Sequence, residues 1–79
     1  MKYTGKVASA ESLGRILQQA RLLKGLSQRE LAKRLGTTQR YIWEIEAGKP
    51  SIFMERLFAM MRQIDVELSA TIKTPEQHG

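Results

Sequence analysis

Apolar side chains recur along the chain at two different periods, and the change of period divides it. Met1 to Ala8 shows no clear periodicity and is expected to be an N-terminal arm, with Tyr3 to Val7 a weak candidate strand. Ser9 then suits an N-cap, and Leu13, Ile16, Leu17, Ala20 and Leu23 recur at helical spacing, predicting a helix over about 10–24 that Gly25 ends. Ser27-x-x-Glu30 forms a capping box, with Leu26 and Leu31 spaced for a hydrophobic staple across the same turn. That second helix runs through Leu35 to a stop at Gly36. Thr38 caps a third helix from Gln39 to about Ala47, closed by Gly48. Ile42 and Ile45 point one way on it, and Gln39, Arg40, Trp43, Glu44 and Ala47 share the other side. Pro50 and Ser51 open a fourth helix to about Asp65, apolar at Met54, Leu57, Phe58, Met61 and Ile64. Val66, Leu68, Ala70 and Ile72 then alternate with polar residues, which is strand spacing. Thr74 to Gly79 has no apolar side chain and reads as a tail.

Length turns this pattern into a stability problem. A chain of 79 residues buries only ~60–65% of its unfolded surface, so domains of this size usually need a staple. With no cysteine and a single histidine, His78, a disulfide, a thiolate metal site and a multi-histidine metal site within one chain are excluded, and oligomerisation remains. No apolar run approaches a membrane span, and the first ten residues lack the apolar segment of a secretion signal. A soluble, cytoplasmic chain is the expectation. Catalysis fails on inventory: there is no nucleophile with an oriented base, no carboxylate pair with a supporting histidine and no phosphate-cradling glycine loop. The chain is read as a non-enzyme without cofactor.

Charge narrows the class further. Residues 21–49 carry seven basic side chains (Arg21, Lys24, Arg29, Lys33, Arg34, Arg40, Lys49) against three acidic ones, whereas 50–79 is slightly acidic. A basic middle points to a polyanion on one face. Within it, Ser27 to Lys49 is a short helix, a glycine-containing turn and a second short helix, a unit that can offer one helix to a major groove.

The run Leu26-Ser27-Gln28-Arg29-Glu30-Leu31-Ala32, with Arg21, Gly36-Thr37-Thr38-Gln39 and Ile45-Glu46-Ala47-Gly48-Lys49, resembles the Cro/phage-repressor (Xre-type) helix-turn-helix family over residues 13–64. The resemblance implies a mainly α fold: a four-helix, lambda-repressor-like domain that binds a palindromic DNA operator as a repressor. It also implies that Gln28, Thr38 and Lys49 hold the DNA backbone and that Gln39 and Arg40 meet base edges. Glu44 would either accept from a cytosine or tune orientation by repelling phosphate. Trp43 departs from the family pattern; it either touches DNA or lies against the second helix. Arg29 and Lys33 are phosphate contacts or plain surface charges. The resemblance also pairs Arg21 with Glu46 as a structural ion pair.

Gln39-Arg40-Tyr41-Ile42-x-Glu44-Ile45-Glu46-x-Gly48-Lys49-Pro50, followed by one helix and a strand, is similar to HipB-type antitoxins. That implies an autoregulated toxin–antitoxin operon and a HipA-like kinase toxin, bound away from the recognition helix through helix 1, the helix 4 region or the tail. The alternative is a stand-alone or phage-type repressor. A protein-interaction adaptor is a further rival, since Met54, Phe58, Met60 and Met61 make a soft apolar surface.

A lone strand over 66–72 would leave its backbone groups unpaired, so it is expected to pair with its copy across a homodimer axis. Leu57, Phe58, Met61, Val66, Leu68, Ala70 and Ile72 would then form the interface, with recognition helices ~34–36 Å apart. The expected organisation is an arm over 1–8, a DNA-binding and dimerisation domain over 9–73, and a tail over 74–79.

Overall fold

Strand β1 (Lys2–Val7) opens the computed structural model, followed by helices α1 (Ala10–Leu23), α2 (Gln28–Leu35), α3 (Gln39–Ala47) and α4 (Ile52–Gln63), and strand β2 (Leu68–Lys73). The structure describes residues 2–74; the expected tail, apart from Thr74, lies outside them, as does His78. Each helix starts where a hydroxyl takes up a free backbone donor. Ser9 Oγ accepts from the Ser12 N–H (3.1 Å), Ser27 Oγ from Glu30 (3.0 Å), Thr38 Oγ1 from Tyr41 (3.1 Å) and Ser51 Oγ from Met54 (3.5 Å). At α2 the box is reciprocal, because Glu30 Oε1 accepts from the Ser27 N–H at 2.8 Å. Gly36, at φ 68°, ends α2 in a left-handed conformation that any side chain would strain. Asp65 adopts φ 58° beyond α4, and the Val66 N–H returns to the Met61 carbonyl at 2.8 Å, turning the chain into β2.

Helix α3 packs on both α1 and α2, and the two strands lie on α1. The crossing with α1 depends on Gly14. A Cβ there would stand 2.5 Å from the Glu46 carbonyl oxygen and 2.6 Å from that of Ile45, so the α1 backbone meets the end of α3 directly. Val7, Ala32, Ile42 and Phe58 are the buried apolar residues, joined by Arg21 and Glu46. Ile45, expected to share the buried side of Ile42, is instead partly exposed.

The strands correct two expectations. Residues assigned to an arm form β1, and β2 pairs with it inside the same chain, antiparallel, with Tyr3 opposite Ile72, Gly5 opposite Ala70 and Val7 opposite Leu68. The ladder that a second subunit was expected to supply is therefore intramolecular. β1 hid because Gly5 interrupts its alternation. Its missing side chain makes room for α1, where a Cβ would lie 3.2 Å from Ile16 Cδ1. Val66 precedes the strand rather than belonging to it. Phe58, expected at the dimer interface, is only 5% exposed in the single chain. It lines a 170 Å³ cleft with Val7, Met61, Val66 and Leu68, so it fills the protomer's own core.

Candidate nucleic-acid interface

A reading helix needs a rigid back and a free front. The back of α3 is held by Ile42, which is buried, and by Glu46, whose side chain is 4% exposed beside an Arg21 that is 8% exposed. Glu46 Oε2 accepts from Arg21 Nε at 2.6 Å and Oε1 from Arg21 Nη2 at 3.0 Å, a forked geometry that fixes both groups. Arg21 Nη1 donates further to the Leu26 carbonyl at 2.8 Å, which ties the α1–α2 connection to the same point. The Arg21 guanidinium, then Gln28, hold the Glu46 carboxyl below its ordinary range against the opposing effect of burial; Glu46 in turn raises Arg21.

Gln28 stands at the start of α2 and donates through Nε2 to Glu46 Oε1 at 3.0 Å. Its Oε1 accepts from Gln39 Nε2 at 3.5 Å. The buried pair thus connects, through one amide, to the first residue of α3. The second Nε2 hydrogen of Gln28 is left for an outside acceptor such as a phosphate. No sequence spacing announces this link, because it joins elements whose separation depends on how α2 crosses α3.

Gln39, Arg40 and Trp43 are exposed on the front of α3. Trp43 is 57% exposed. Thr38 caps the helix at its N-terminal end; Arg29 is exposed on α2. Glu44 gathers the two remaining cations: Lys49 Nζ lies 2.7 Å and Arg40 Nε 3.6 Å from its Oε2. Lys49, with Arg40, draws the Glu44 carboxyl below its ordinary value. Only the Arg40–Glu44 half of this cluster had a sequence signal, the i,i+4 spacing. Gly48, at φ 70°, closes α3; a Cβ on it would lie 2.5 Å from Glu11 Cα, so the helix end is seated on α1.

Among the described residues, no group of three or more metal-ligating side chains occurs, and no helix is long and apolar enough to cross a membrane. A helix-turn-helix family model matches residues 17–70, about two-thirds of the chain. No curated protein and no solved structure matches it.

Proposed function

Because this chain belongs to the Xre/Cro-like helix-turn-helix family, a DNA-binding family, we propose that it is a repressor working as a homodimer on a palindromic operator in the cytoplasm. The observation that carries this reading is the contrast between the two sides of α3. Its rear is pinned by Ile42 and by the Arg21–Glu46 pair, while Gln39 and Arg40 are exposed at its first turn, with only long contacts to Gln28 (3.5 Å) and Glu44 (3.6 Å). Arg40 suits guanine O6/N7 and Gln39 suits adenine N6/N7, the bidentate pairings a major groove offers. Gln28 and Arg29 at the start of α2, Thr38 at the start of α3 and Lys49 just past its end serve as phosphate ligands, Trp43 adds an apolar contact, and Glu44 sets orientation.

The test is selection of bound duplexes from a random library, then titration of the winner against scrambled DNA at several salt concentrations. A preference of at least about 10³-fold with a linear fall of log K against log salt is expected. Equal affinity for all sequences would overturn sequence-specific repression. The similarity of residues 39–50 to HipB-type antitoxins supports a finer role: autoregulation of an operon whose second product is a HipA-like kinase toxin. Co-expression with the adjacent reading frame should bring that toxin down with the chain; purification of the chain alone would leave a stand-alone repressor.

A further inference from the structure

The twelve residues of α4 have two apolar faces, and the protomer uses one. Phe58 turns inward with Met54 and Met61, whereas Phe53, Leu57, Met60 and Ile64 are all exposed, Phe53 to 73%. With Ile52 and Arg56, three of these line a groove of about 400 Å³. Their steps along α4 and its C-cap residue, Ile64, are four, three and four, the spacing of a helix–helix seam. No side chain in the stripe is charged.

We propose that a second copy of this chain covers this stripe, its α4 lying antiparallel about a two-fold axis beside residues 58 and 59. The spacing itself favours a copy of the same helix, because steps of four, three and four read identically in both directions. Antiparallel pairing sets Phe53 against Ile64 and Leu57 against Met60 of the other copy, with every apolar position matched by another. A copy seated on the stripe would take the exposed apolar side chains of Phe53, Leu57, Met60 and Ile64 out of water. The stripe lies outside the Gln28, Gln39, Arg40 and Lys49 set, so dimerisation leaves the DNA-facing side chains free. This inference deepens the dimer of the preceding reading by naming its surface.

Sedimentation of the full chain at micromolar concentration tests it. Wild type should run as a dimer, and Leu57→Glu and Met60→Lys should each run as folded monomers by circular dichroism, with dissociation constants raised at least about 100-fold. An equimolar mixture of the two variants, or both substitutions in one chain, should restore the dimer, because antiparallel pairing brings opposite charges together. A monomeric wild type, dimeric single variants or a failed rescue would each overturn the proposal. Binding to a half-site duplex, measured alongside, separates the two readings: a chain that dimerises through α4 yet binds no duplex sinks the repressor and spares this interface.

Discussion

Replacing Glu46 by alanine should be the most damaging single change on the buried side of α3. It leaves Arg21 with its charge and only one of three hydrogen bonds, that from Nη1 to the Leu26 carbonyl, and it deprives Gln28 of its acceptor. Breaking a buried ion pair costs about 3–5 kcal/mol. The lower end applies here, since the Leu26 contact survives and the deleted side chain leaves space for water. For a domain of this length, whose total stability is on the order of 4–12 kcal/mol, about 3 kcal/mol is a large fraction. With an m-value near 1 kcal/mol/M, the urea midpoint should fall by about 3 M, and the melting temperature by about 12–24 °C. Circular dichroism at fixed protein concentration is the assay, because association would make the midpoint concentration-dependent. Substituting Arg21→Met together with Glu46→Leu should recover much of the loss, the charge having gone with its partner. The sign with pH is also fixed. The Glu46 carboxyl is held below its ordinary value by Arg21, so its contribution is whole above the unfolded glutamate pKa of about 4.3 and disappears as pH falls through the folded value. Glu46→Gln should therefore flatten the acid limb of the stability curve. A Glu46→Ala midpoint within about 0.5 M urea of wild type would show that the pair is no keystone.

Glu44→Gln releases Lys49 and Arg40 from their shared carboxylate; binding to non-specific duplex should strengthen and its salt slope steepen, and an unchanged slope would rule out Glu44 as a brake. Arg40→Ala should weaken the selected site by about 1–3 kcal/mol and relax preference at one base pair per half-site, a loss read by competition titration. Lys49→Ala should instead weaken every sequence alike, with a log K–log salt slope smaller by about one unit. Gly14→Ala trades a helix-propensity gain of about 1 kcal/mol for a collision with the Ile45 and Glu46 carbonyls; overpacking of about 1–3 kcal/mol should win, and a raised melting temperature would count against the close α1–α3 crossing.

What was legible in the sequence was whatever depends on neighbours in sequence. Ser27 and Glu30, Thr38, Gly36 and Gly48 announced α2 and α3 because caps and left-handed glycines act over one turn. The Arg21–Glu46 contact spans 25 positions and was reachable only through the resemblance. β1 was nearly invisible, since Gly5 erases the middle of its alternation, and without it β2 was wrongly assigned to another subunit. Phe58 and Leu57 show the same limit on α4. Adjacent apolar residues at helical spacing look equivalent, and only the fold decides which one turns inward.

Pairing Lys2 with Lys73 also has a consequence for the order of events during synthesis. α1, α2 and α3 are complete in the chain by residue 47, so the helix-turn-helix can assemble from contacts nearer in sequence than those of the ladder. β1, made first, must wait for β2, made last. At about 5–20 residues per second the wait is several seconds, during which the edge of β1 stays unpaired. Closing so long a loop costs little more entropy than closing one half its length, so the delay is a matter of timing rather than of energy. Once the ladder forms, the two ends of the fold share one fate: a lesion that frays either strand unzips both.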